Sequence, residues 1–335
     1  MSAVRTAKKA GKVKTRRRRG NWLFIEHGDS AGECFSKLFT QFAVLVLIAC
    51  GVIFFNEMRI SLSTKKLSGD LKELYHTYLP AVPETAVGVS LPEKIFGIDT
   101  PAESSPELLP LAEQLLAINR DTVGYVSIDG TNVSMPVVQK LTADGNAYYL
   151  TTAFDGTDSK AGTVFLDYRA KLTDSERSDI LTIYGHNQRD GTMFGELKNY
   201  KKNVDFYKEH PSIVFSSNYR TDVYKIFAYF VTEVEPSQTR DGNVFYYHNY
   251  IDLDESTYNE YISEIMLRSQ INTQVDVKYG DQFLVLSTCS NEFEPSRFVV
   301  FARRTREGES ISVDTSEVSL NTAAKEPDWS VIYKK

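Results

Sequence analysis

Phe283-Leu284-Val285-Leu286-Ser287-Thr288-Cys289 is the stretch that decides the reading of this chain. It is apolar, free of Gly and Pro, and short, which predicts a buried β-strand over 283–288. It ends on a cysteine. Only Cys34 and Cys50 accompany it, and both lie in the first 50 residues. Exported thiols normally pair as disulfides, so a lone one behind a membrane segment is either an inert core residue or a nucleophile. Nine residues on, Phe298 to Arg303 predicts a second strand. If the two pair antiparallel, Cys289 and Arg297 face each other at the mouth of one loop, on strands about 4.8 Å apart.

Outward from this pair, the charge is unevenly spread. Residues 1–56 carry ten Lys and Arg against three carboxylates, a net +7, which leaves −13 on the remaining 279 residues. An acidic body argues against nucleic acid as its partner. The basic tail, 1–37, is better explained by the segment after it. Residues 38–56 begin LFTQFAVLVLIACGVIFF, with no charge between Lys37 and Glu57. That length roughly matches the hydrocarbon core of a bilayer at about 1.5 Å per helical residue. The competing reading, a buried core helix, fits poorly with such polar and asymmetric flanks. The Arg16–Arg19 cluster places the N-terminus in the cytoplasm and the body outside the cell membrane. No small-x-small site comes next, so the segment reads as a retained single-pass anchor rather than a cleaved signal. Leu47-Ile48-Ala49-Cys50 resembles a lipoprotein processing box, but cleavage there would fall inside the apolar run.

Residues 57–105, with Pro80, Pro83, Pro92 and Pro101, are expected to form an extracellular stalk, with a short helix over 65–78. The body of the chain is expected over 106–304. It opens on an amphipathic helix in 106–119, with Leu108, Leu111, Leu115 and Leu116 at helical spacing. Short strand candidates come after it: 124–128 and 133–138 around Asp129-Gly130, then 162–166, 180–184, 212–216 and 222–231. Their spacing, and a core rich in Tyr and Phe (19 each), predict a mainly β fold, barrel or sandwich. One helix is inserted at 256–267, where Tyr258, Tyr261, Ile262 and Ile265 recur at helical spacing and Thr257 with Glu260 suggests a capping box. Residues 305–335 read as a loosely held tail, in which Trp329, Val331, Ile332 and Tyr333 are able to dock.

A cysteine nucleophile has a free thiol pKa of about 8.5 and needs a base or positive surroundings, an acid for the leaving amine, and an oxyanion donor. His76 falls in the stalk, His210 precedes Pro211 in a turn, and His248 sits among aromatics, where packing is the ordinary role. His186 comes after the strand 180–184 through Gly185 and opens a glycine-containing loop, where rigid scaffolds present catalytic groups. Arg297 stays charged and offers several donors.

The set Leu286-Ser287-Thr288-Cys289, Arg297, and Tyr184-Gly185-His186-Asn187 resembles the sortases, cysteine transpeptidases of the Gram-positive cell surface. The resemblance runs from about Asn119 to Arg303 and is closest to class B. Met135 to Gln139, Asn146 to Leu150, Gly162 to Asp167, Met193 to Leu197 and the inserted helix support it. It implies an eight-stranded barrel with N-terminal helices and a cysteine transpeptidase/endopeptidase that anchors surface proteins. Cys289 would attack a threonine carbonyl in the LPxTG-like sorting signal of a secreted protein. Arg297 would steady the oxyanion, and His186 would protonate the leaving amine. An amine of the peptidoglycan precursor or of a pilin would then resolve the thioester. Ser287 and the Ser290 N–H would contribute to the site, and Asn146 and Leu150 would line the substrate groove. The resemblance implies no cofactor and no metal. Two other readings remain open: a cysteine transpeptidase acting directly on cell-wall peptides, and a non-enzymatic anchored β-rich assembly module with Cys289 in its core.

Overall fold

The computed structural model describes residues 21–78, 107–143, 145 and 147–334. It divides into two units, the first ending at Leu62 and the second beginning at Ser63. Helix α1, Ala31–Tyr78, runs through both. Its first part exposes Phe35, Phe39, Phe42, Leu45, Leu47, Ile48, Val52, Phe54 and Phe55 around its circumference. A helix apolar on all sides suits lipid rather than water, and this one is long and apolar enough to cross a membrane.

The stalk expected over 57–105 differs from what is found up to Tyr78; the rest, 79–105, lies outside the described residues. Residues 63–78 continue α1 and belong to the second unit. Leu67, Leu71 and Leu74 recur on one face, and Leu71 is buried. Tyr75 stacks on Tyr125 with centroids 4.4 Å apart, and its hydroxyl lies 2.8 Å from Ser127 Oγ. The apolar spacing gives these residues a packing face, so they join the body that was expected to start at 106. Helix α2, Pro110–Ile118, packs into the same cluster through Leu111 and Leu115.

The strands are β1 Thr122–Ser127, β2 Ser134–Val138, β3 Phe165–Leu166, β4 Ile180–Tyr184, β5 Ser212–Ser217, β6 Thr221–Glu233, β7 Ile271–Asn272, β8 Phe283–Cys289, β9 Ser296–Arg304 and β10 Ser319–Leu320. Eight of them close a barrel in the order β1-β2-β3-β4-β8-β9-β6-β5, and β7 pairs with β10 outside it. The short helices α3 Asn199–Lys202 and α4 Val204–Glu209 precede β5. Helix α5, Glu255–Arg268, precedes β7, and α6, Trp329–Ile332, closes the chain.

The unbroken apolar run of β8 has a direct cause. Leu284 and Leu286 point into the barrel core, while Phe283 and Val285 lie in a second cluster with Tyr261 and Ile265 of α5. A strand buried on both faces has no reason to alternate. Helix α5 is the inserted helix expected from sequence, but its cap is Asp254 rather than Thr257. The Thr257 N–H donates to Asp254 Oδ1 at 2.8 Å, and Glu260 instead accepts from the Tyr250 hydroxyl. Aspartate is at least as good an N-cap as threonine.

The tail expected to be loose is held along its length. β10 pairs with β7, Val318 is buried, and Asn321 Nδ2 and the Lys325 N–H donate to the Ser269 and Leu267 carbonyls at 2.8 Å. Glu309 accepts from Arg303 and Lys225. Charged partners were already present on the barrel, so the polar composition of the tail did not imply disorder.

Candidate active site

Strand pairing brings the sequence candidates together. β4 and β8 run parallel with Tyr184 opposite Ser287, and the Gly185 N–H donates to Ser287 O at 3.1 Å. Parallel strands finish at the same barrel edge, so His186 and Cys289, each two residues further on, emerge side by side. β8 and β9 run antiparallel with Cys289 opposite Arg297. Alternation sets the face. Cys289 shares its side of β8 with Phe283 and Val285, and Arg297 shares its side of β9 with Val299 and Phe301, all in the outer cluster beneath α5. Cys289 is exposed, although the six residues before it are buried.

His186 is half-buried, and its Nε2 lies 2.8 Å from the Leu150 carbonyl. A carbonyl only accepts, so this nitrogen carries a proton, and among the described residues Nδ1 makes no hydrogen bond. Leu150 ends a 3-10 turn, Tyr148–Leu150, and its side chain is exposed. Asn187 Nδ2 donates to Cys289 O at 2.9 Å, which ties the His186 loop to the end of β8. Gly185 allows the chain to turn there: a Cβ would lie 2.7 Å from the Phe194 ring.

Among the described residues Arg297 has no carboxylate partner. Its Nη1 donates to Ser296 O at 3.0 Å, and Glu292, a possible competitor, pairs with Lys201. Ser287 is buried, and its Oγ lies 2.6 Å from the Tyr247 hydroxyl. Burial pushes Tyr247 up to about 12, so it remains a neutral phenol behind the thiol. The Ser290 N–H already donates to Ser296 O at 3.1 Å. The serine pair expected to serve the site is therefore engaged within the protein. Asn146 lies outside the described residues.

A second polar layer was not legible from sequence. Asp167 accepts three bonds from Arg169, two from its guanidinium at 2.9 and 2.7 Å and one from its backbone N–H at 3.0 Å, and one from the Tyr184 hydroxyl at 2.9 Å. Burial works to raise Asp167, but these donors outweigh it and hold the carboxyl below its usual range. Arg169 Nη2 also donates to His248 O at 2.5 Å. Burial first, and then the Arg169 charge, hold the His248 imidazole below its ordinary range. His248 is thus a neutral packing group at neutral pH, consistent with the packing role expected for it.

The family model described as "Sortase domain" matches residues 126–305. The chain belongs to the sortase family. Within it, the similarity is to class B. This sortase is 33% identical over 199 residues to sortase B of Staphylococcus aureus, covering 58% of this chain and 74% of that one. It is 30% identical over 188 residues to sortase B of Listeria monocytogenes, covering 56% and 70%. Among solved structures, Bacillus anthracis sortase B in complex with AAEK1 superposes with a TM-score of 0.56 at 23% identity, over 75% of this chain and 100% of that one. Staphylococcus aureus sortase B complexed with MTSET does so with a TM-score of 0.52 at 26% identity, over 72% and 86%. The eight-stranded closed barrel of this sortase is the fold of those structures.

Proposed function

We propose that this sortase is a membrane-anchored class B transpeptidase that cuts the sorting signal of secreted proteins and joins them to an amine at the cell surface. The carrying observation is the shared barrel edge, where β4, β8 and β9 bring His186, Cys289 and Arg297 to one face. The Cys289 thiolate attacks the carbonyl carbon of the signal's threonine. The oxyanion develops beside the Arg297 guanidinium, whose charged donors are most effective in a site shielded from water. As the C–N bond breaks, His186, acting as the imidazolium, delivers its Nδ1 proton to the departing amine, while its Nε2 proton stays on the Leu150 carbonyl. An acceptor amine then attacks the thioester carbonyl and gives its proton back to His186. The C–S bond breaks, restoring the thiolate and leaving a new amide.

Residues 38–56 would anchor the enzyme, with residues 1–37 in the cytoplasm by their positive charge and the barrel outside. Residues 63–78 continue the same helix and pack on the body.

Cleavage of a sorting-peptide library by the full chain in detergent, with a panel of amines as acceptors, tests the reading. Cleavage should vanish in Cys289→Ala, and amide products should form with peptidoglycan stem or pilin lysine amines. Undiminished cleavage by Cys289→Ala would sink it.

A further inference from the structure

The family match stops at residue 305, and the proposed chemistry uses none of the residues beyond it. Yet the final turn of the chain lands on the loop that separates Cys289 from Arg297. Trp329 meets the Phe293 ring edge-on with centroids 5.6 Å apart, and Tyr333 stacks on Trp329 at 5.8 Å. The Tyr333 hydroxyl donates to Glu292 O at 3.2 Å. The Asp328 N–H donates to Glu233 Oε1 at 3.1 Å, and Glu233 ends β6 opposite Ser296. Arg240 holds the same turn through Ser330 and Asp328.

The loop has a second support. Lys201 pairs with Glu292, and its ammonium lies 4.9 Å over the Phe298 ring. Inside the loop, the single Ser296 Oγ–H is shared between the Phe293 and Ser290 carbonyls, at 2.5 and 3.2 Å. Residues 290–296 are therefore clamped between Lys201 on one side and α6 on the other. The clamped segment is the covalent link between the nucleophile and the guanidinium opposite it.

We propose that Trp329 and Tyr333 are positioning residues, which fix the 290–296 loop and thereby set Arg297 against Cys289. This rests on the transpeptidase reading. A reacting geometry is sensitive to displacements near 1 Å, so a loosened loop lowers turnover more than it lowers binding.

The experiment uses the full chain in detergent. Trp329→Ala is expected to lower kcat about tenfold with KM within about twofold, and Trp329→Phe, which keeps a ring on Phe293, to restore most of it. Tyr333→Phe, which deletes only the bond to Glu292, should lower kcat about threefold. Methanethiosulfonate labelling of Cys289 should keep its rate, because β8 itself is unchanged. In an Arg297→Lys background Trp329→Ala should cost little more, since the group it positions is already altered. Amide hydrogen exchange over 290–297 should quicken in Trp329→Ala, with the rest of the barrel unaffected. Equal kcat losses in both backgrounds, or an unchanged exchange pattern, would overturn the proposal. If the parent enzyme cleaves no sorting peptide, the transpeptidase reading fails, and hydrogen exchange still decides whether α6 clamps the loop.

Discussion

The hydrogen in place of a side chain at Gly185 lets Phe194 close over the strand end that presents His186. Gly185→Ala would push a methyl group into a ring that is fully buried. Overpacking of this kind costs roughly 1–3 kcal/mol, and here the strain would fall one residue from the His186 imidazole proposed as the acid. A lower Tm together with a reduced kcat is expected, and an unperturbed kcat would show that His186 tolerates the shift. At Arg297 the loss should be chemical. Arg297→Ala removes the proposed oxyanion donor and should lower kcat by about 10²–10³ with the fold intact by circular dichroism. Cys289, His186 and Arg297 were legible in the sequence because each sits at the end of a recognisable apolar run. Tyr247, Asn187, Asp167 and Arg169 were not, since their roles come from partners 17 to 102 residues away in sequence, or from a bidentate geometry that no spacing announces. Ser287 and Ser290 stand close to Cys289 in sequence, yet their engagement with Tyr247 and Ser296 emerges only from the folded chain.

At the scale of elements, hydrophobic period carried most of the reading. β4, β5, β6, β8 and β9 lie where the apolar runs place them. β3 is shorter than the expected 162–166, because Gly162 has a positive φ of 61° and the Thr163 N–H is drawn to the Tyr149 carbonyl. α1 is longer than expected, because an apolar stripe over 63–78 continues directly from the all-round apolar run before it. Capping errors are small in sequence and measurable in energy. Asp254→Ala should destabilise the enzyme by about 1 kcal/mol, whereas Thr257→Val, which keeps the capped N–H, should cost less. Chemical denaturation of the two variants checks this, and a larger effect from Thr257→Val would return the cap to where the sequence placed it.

For the whole molecule, acid is the expected weak point. Burial works to raise Glu309, but hydrogen bonds from Arg303, Lys225 and the Arg306 N–H outweigh it and hold the carboxyl far below its usual range. Asp167 is depressed by the same kind of balance. A depressed carboxylate contributes stability above its unfolded pKa, near 4, and loses it as pH falls toward the folded value. Asp222, which burial raises, works in the opposite direction. Unfolding free energy should therefore decline from about pH 5 downward, and the decline should be shallower in Glu309→Gln. A flat profile in the parent would contradict the assignment. The barrel's closure also carries a consequence in time. β4 and β8 are neighbours in space but about a hundred residues apart in the chain, and their parallel pairing creates the shared edge. Such a contact forms late, because a long loop must close before any pairing energy is recovered. A chain made from its N-terminus thus has His186 long before Cys289, and until its last third has been made as well, the two strands that form the candidate site cannot pair.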